Sequence, residues 1–179
     1  RWSLAHASLA GCTRHGNVCC CKNVFMDLRI ASPEDWQTSR DIRLRALAQD
    51  PAAFCSTLEG ESALNEKQWR ARMVTATTLL AWDGLAVVGT VTLKPDPHED
   101  GGRELVAMWV DPAYRRSGLA SSLVASIVDR AVSVGAHEVA LWVAEDNSRA
   151  RSLYERSGFE LTGERDVMRP GVDQVRMRK

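Results

Sequence analysis

Residues 77–93 read TTLLAWDGLAVVGTVTL, two β-rich apolar runs joined by Asp83-Gly84. An Asp-Gly pair between such runs is the strongest short-range hairpin signal, because a tight turn needs positive φ at its centre. The hairpin commits the chain to neighbouring antiparallel strands and so excludes a sheet built only from regular βα repeats. A polar loop, KPDPHEDGGR, then leads to a third long run, ELVAMWV, at 104–110.

The flanking segments add helices and strands around this hairpin. DLRIA (27–31) alternates as a first strand. Ser32 can cap a helix with Pro33 at its first position and Asp35 at its positive end. Trp36, Ile42, Leu44 and Leu47 anchor that helix until Asp50-Pro51 breaks it. A second, more polar helix is expected over LNEKQWRARMV (64–74). Beyond 110, Leu119, Leu123, Val124, Ile127, Val128 and Ala131 form one helical stripe, ended by Gly135. HEVALWVA (137–144) is nearly all apolar, as a strand covered on both faces should be. Asn147 caps a short helix stopped by Gly158, and FELTGERDVM and VDQVRMRK close the chain as two strands around Arg169-Pro170-Gly171. The predicted order is β-α-α-β-β-β-α-β-α-β-β. The fold class is α/β, with a mixed, mostly antiparallel sheet of about seven strands and about four helices.

The 179 residues suffice for one domain with a full core, and 45% hydrophobic with 26% charged residues fits a soluble globular protein. Formal net charge is zero, so no global field favours nucleic acid or a membrane surface. No apolar run approaches the ~20 residues of a spanning helix. Residues 1–25 differ from the rest: they hold three basic residues, no acidic one, and four of the five cysteines. They are expected to be an unfolded extension, an upstream-start or cloning artefact, with the folded domain at 26–179. His15 with Cys12, Cys19, Cys20 and Cys21 offers a zinc alternative, but adjacent cysteines do not readily converge on one tetrahedral ion. No metal is expected. Only Cys55 lies in the remaining chain, so no disulfide framework exists there, which suits a reducing cytoplasm.

One turn carries chemistry. Asp111-Pro112 ends the third run, and Arg115, Arg116, Ser117, Gly118, Leu119, Ala120 and Ser121 lead into the apolar helix. A helix N-terminus offers unpaired N–H groups and partial positive charge, so it takes phosphate readily. Small residues let a pyrophosphate approach the backbone, and two arginines add charge-assisted contacts. An ordinary strand–helix turn with solvated arginines is the competing reading. Neither G-x-x-x-x-G-K-[ST] nor G-x-G-x-x-G occurs, which removes the P-loop and Rossmann alternatives.

R-x-x-G-x-A at 115–120 after a strand ending WVDP, together with N-x6-Y-x3-GF from Asn147 to Phe159, resembles the GNAT superfamily of N-acetyltransferases. The resemblance spans 26–179 in element order and is most specific over 104–159. It implies that acetyl-CoA is the co-substrate, with its pyrophosphate on the Arg115–Ser121 turn. It further implies a V between the 104–110 strand and Val143 to Glu145. Pantetheine would lie there along Met108, Trp109 and Val110, with Asn147, Ala150 and Tyr154 on the next helix. The implied reaction is direct acetyl transfer to a primary amine in a ternary complex, in a monomer or homodimer. The rival is a non-catalytic acyl-CoA-binding module with the same fold. A metal- or thiol-sensing protein built on residues 12–21 is a third class.

The reaction has two proton demands. A lysine-like amine is only about one part in a thousand neutral at pH 7, and the departing thiolate needs an acid or hydrogen-bond donor. The resemblance places Tyr154 as the acid and Glu104, eleven residues before Arg115, as the base. A water chain is the alternative base. Tyr154 could instead be a core tyrosine bonded to a carbonyl, and Glu104 a surface strand-end residue. A main-chain N–H near Met108 or Val110 would polarise the thioester carbonyl. Cys55 lacks a neighbouring histidine in sequence, which disfavours an acyl-carrier role. The resemblance sets the acceptor wall at roughly 45–69, where Phe54 and Trp69 could hold apolar parts and Glu59, Glu61 and Glu66 could attract a cation; a solvated loop with core aromatics is the equal alternative. The kind of amine stays open.

Overall fold

The structure, a computed structural model, describes residues 26–179; the extension and cysteine cluster expected at 1–25 lie outside the described residues. Seven strands form one sheet: β1 (Asp27–Ile30), β2 (Thr77–Asp83), β3 (Ala86–Pro95), β4 (Arg103–Val110), β5 (Val139–Ala144), β6 (Glu160–Arg169) and β7 (Val172–Arg178). Their order is β1-β2-β3-β4-β5-β7-β6. Every neighbouring pair is antiparallel except β4 and β5. The Asp83-Gly84 hairpin forms as expected, with Asp83 opposite Ala86 and Gly84 at φ 59°.

Helices α1 (Trp36–Gln49), α2 (Leu58–Ser62), α3 (Glu66–Thr75), α4 (Leu119–Ser133) and α5 (Ser148–Arg156) cover the sheet. Among the described residues there are five rather than about four. The added one, α2, has five residues and starts where the Thr57 side chain accepts from Gly60 N. Too short to show a period of its own, it reads in sequence as part of a connection. A reciprocal box, Asn65 Oδ1 to Gln68 N at 3.0 Å and Gln68 Oε1 to Asn65 N at 2.9 Å, starts α3.

The two faces of the sheet carry separate apolar clusters. Leu79 packs with the α4 stripe and its neighbour Leu80 with Ile42, Ala46 and Leu47 of α1, as a period of two requires. Leu123, Val124 and Ile127 of α4 are fully buried, each worth about 1.5–3 kcal/mol against exposure. Gly89 of β3 permits this close seat: a Cβ there would meet Leu123 Cδ1 at 3.0 Å. No helix of the described residues is long and apolar enough to cross a membrane.

Candidate functional site

Strands β4 and β5 pair at only two positions, Arg103 with Val139 and Glu104 with Ala140. From Leu105 onward the two part, and the β4 edge that faced β5 loses its ladder partner. Backbone groups on such an edge need other partners, so the opening suits an extended amide-bearing ligand. The V expected from the sequence is therefore present.

Within the opening, β4 carries a bulge that sequence reading missed. Thr90 faces Trp109 and Thr92 faces Val106, so Val91 stands against both Ala107 and Met108. Ala107 takes a left-handed φ of 54°, an uncommon and costly conformation for a residue with a Cβ. The bulge also switches the strand's phase. Leu105 and Val110 join the α4-side cluster while Trp109 joins the α1 side, although strict alternation would put 105 and 109 together. Trp109 is thus a core residue by its side chain, and only its main chain is available to a ligand in the opening.

The Arg-Gly turn lies at the head of this opening. Gly118 has φ 90° and N-caps α4, and no atom lies within 4 Å of the position a Cβ would take. The Leu119 amide is held by Ser117 Oγ at 3.3 Å, whereas the amides of Gly118, Ala120 and Ser121 find no acceptor among the described residues. Arg116, Ser117 and Gly118 are exposed. These are the features of an open anion cradle. The arginines divide their tasks. Arg115 points inward, its Nε donating to Val110 O at 3.0 Å and its Nη2 to the Asp50 carboxylate. Asp50 also accepts from Trp109 Nε1 at 2.7 Å. Arg115 therefore braces the end of β4 against the end of α1, and Arg116 is the cation left at the rim.

Tyr154 on α5 is buried, with its ring edge-on to Phe159 at 5.8 Å. Burial raises its phenol well above the ordinary tyrosine range. No hydrogen bond holds its hydroxyl among the described residues, so the expected alternative of a carbonyl-bound core tyrosine finds no partner. Asn147 N-caps α5, its Oδ1 accepting from Ala150 N at 3.0 Å, which commits the oxygen and leaves the amide nitrogen.

On the α1 side of the opening lies a cavity of about 580 Å³, floored by β3, β4 and β5 and walled by α1 and α3. Glu104 lines it, 8% exposed, with Oε2 2.9 Å from Lys94 Nζ. It is neither a surface glutamate nor a free one. Phe54 and Trp69 are both buried and both line the cavity. The three acceptor-side glutamates fare differently. Glu66 pairs with Arg70 on the exposed face of α3, and Glu59 is exposed. Glu61 lines the cavity but sits between Arg43 (2.9 Å) and Arg72 (3.2 Å). Burial alone would raise its pKa; the hydrogen bonds and charge of Arg43, with help from Ser56 and Arg72, outweigh burial and hold the carboxyl below its usual range. It is therefore not a free trap for a cation. Sequence reading missed these arginines because Arg43 lies 18 residues from its partner. Cys55 also lines the cavity. Local desolvation raises its thiol, outweighing Arg169 and Arg43, so it stays a thiol rather than a nucleophilic thiolate. Among the described residues no cluster of metal-ligating side chains occurs.

Three comparisons with known proteins bear on this geometry. The profile of the Acetyltransferase (GNAT) family matches residues 28–159. A mycothiol acetyltransferase of Geodermatophilus obscurus is 34% identical over 119 residues, covering 64% of this chain but 38% of that protein. Among solved structures, yncA of Salmonella typhimurium, seen with its cofactor acetyl-CoA, superposes with a TM-score of 0.70 at 19% identity. That match covers 86% of this chain and 92% of the other. The PaiA N-acetyltransferase of Thermoplasma acidophilum, in complex with coenzyme A, gives 0.67 at 19% identity, covering 86% and 98%. The chain thus spans well under half of its curated relative and nearly all of the solved folds.

Proposed function

The chain belongs to the GNAT acetyltransferase family, and from that premise we propose that it moves an acetyl group from acetyl-CoA to a primary amine by direct attack. The observation that carries this reading is the parting of β4 from β5 beside the open Gly118 turn, with a cavity on the α1 side. The residues fit the co-substrate: the turn offers unpaired amides and Arg116 for phosphate, and the β4 edge offers main-chain groups for pantetheine amides. When bound, acetyl-CoA supplies an activated acetyl thioester.

The chain's own residues meet the two proton demands. Glu104 lines the cavity with its carboxyl group paired to Lys94, and takes the amine's proton directly or through water. Tyr154 keeps its proton because burial opposes ionisation, which is the state a donor to a departing sulfur needs. The Ala107 bulge takes main-chain groups off the β3–β4 ladder, where an N–H can polarise a carbonyl. The Tyr154 hydroxyl, on a buried ring but held by no hydrogen bond among the described residues, supports catalysis over the non-catalytic acyl-CoA-binding module, because a packing role needs no hydroxyl.

The test couples turnover and binding. Free-thiol release from acetyl-CoA should appear with a panel of primary amines. Gly118→Glu, which adds bulk and negative charge to the cradle, should weaken acetyl-CoA binding tenfold or more, ~1.4 kcal/mol, by calorimetry. A folded Gly118→Glu protein with unchanged affinity sinks the phosphate assignment.

A further inference from the structure

Six buried side-chain polar atoms of the described residues have no protein partner, and three belong to residues lining the α1–α3 cavity: Ser39 Oγ, Arg43 Nη1 and Trp69 Nε1. Ser39 and Arg43 are four apart on α1, so they share a face, and Trp69 comes from the facing helix α3. All three groups donate hydrogen bonds. An unpaired buried donor costs the desolvation of that group, and native proteins rarely leave several together without a use.

The charge of the lining has a definite sign. Arg43, Arg72 and Lys94 stand against Glu61 and Glu104, one cation in excess. Glu61 takes the Nε and Nη2 of Arg43 and one nitrogen of Arg72, and Lys94 is spent on Glu104. The Nη1 corner of Arg43, its guanidinium 4.6 Å from the Phe54 ring, is therefore the donor edge left over. Arg72 stacks at 5.0 Å on Trp69 and brings the second guanidinium to the same wall. A ligand cation would face repulsion here, and a neutral apolar group would leave all three donors unpaired.

We propose that the α1–α3 wall binds a carboxylate on the acceptor, so that the substrate class is a primary amine that also carries a carboxylate. This rests on the acetyltransferase reading for its amine half, with the amine toward Glu104 and the carboxylate toward Arg43, Ser39 and Trp69. The three donor atoms are shielded from bulk water, so seating the carboxylate requires a slight parting of α1 from α3. The contact then gives paired, desolvated, charge-assisted hydrogen bonds.

Matched probes test it: 4-aminobutanoate and 6-aminohexanoate, each beside its carboxamide, on the wild-type chain, Trp69→Phe and Ser39→Ala. Calorimetry reads binding without turnover, and thiol release reads transfer. The carboxylate probes should bind about tenfold or more tightly than their amides, and each variant should narrow that gap. Because the Ser39 hydroxyl is unpaired in the free protein, Ser39→Ala should not lower the melting temperature, whereas a structural role would; Trp69→Phe also shrinks a buried ring stacked by Arg72, so it is read by the binding gap alone. Equal binding of acid and amide, or variants that melt lower with the gap intact, overturns the proposal. Selective carboxylate binding without any acetyl transfer keeps the carboxylate wall and sinks the acetyltransferase reading instead.

Discussion

Removing the Asp50 carboxylate should cost more stability than removing the arginine bonded to it. In Asp50→Ala, Trp109 Nε1 loses a 2.7 Å charged acceptor, and the indole is 4% exposed, so no water replaces the bond. A buried donor left unpaired costs about 1–3 kcal/mol. The Arg115 contact adds less, because both side chains are about 30% exposed (28% and 31%) and such pairs are worth ~0.5–1 kcal/mol. The total is about 1.5–4 kcal/mol, a large share of a typical domain's stability. Arg115→Ala leaves Trp109 bonded and gives up only the ion pair and the bond to Val110 O, about 1–2.5 kcal/mol. The double variant should fall short of the sum by about 0.5–1 kcal/mol, the value of the shared pair. Urea unfolding of the four proteins measures all three quantities. Should Asp50→Ala cost no more than Arg115→Ala, the indole–carboxylate bond is not what holds the end of β4 to α1.

Tyr154→Phe should keep acetyl-CoA affinity and lower kcat ~10²–10⁴-fold, the range of acid–base groups, as single-turnover and calorimetric data would show. Its alkaline limb should change as well: burial raises the folded phenol pKa above the unfolded value of ~10, so wild-type stability is full below about pH 10 and falls as pH rises beyond it. The phenylalanine variant should flatten that fall in urea melts, and an unchanged limb would contradict the buried position. Glu104→Gln should show a defect in kcat/KM that shrinks between about pH 6 and pH 10, as more amine is already neutral; a pH-independent defect would leave water as the base.

The parts legible in the sequence are those written locally. The Asp83-Gly84 hairpin, the α4 stripe and the Gly118 turn each rest on a few adjacent residues whose chemistry permits one main conformation. The Ala107 bulge was hidden because ELVAMWV is apolar on both faces, so a shift of phase leaves no trace in the pattern. Arg115 reads as a phosphate ligand until the fold brings Asp50, 65 residues away, to its guanidinium. Glu61 likewise reads as a free anion until Arg43 and Arg72 close on it from two helices. The start of α3 is written in the sequence too: Asn65-x-x-Gln68 is a reciprocal capping signal, which sets the first helical residue at Glu66 rather than at 64.

The two-pair seam between β4 and β5 has an elastic consequence. Hydrogen-bond ladders resist shear because each bond has a direction and a length, and β1–β4 and β5–β7 are each laddered in this way. Across the seam only Arg103–Val139 and Glu104–Ala140 do so, and the remaining cohesion comes from α4 side chains packed against Val139, Leu141 and Val143. Apolar contact is non-directional, so it holds two surfaces together while letting them slide. The sheet therefore behaves as two stiff plates on a soft joint with α4 as its pin. Because apolar attraction weakens on cooling while the ladders do not depend on it, the joint softens toward low temperature before either plate does.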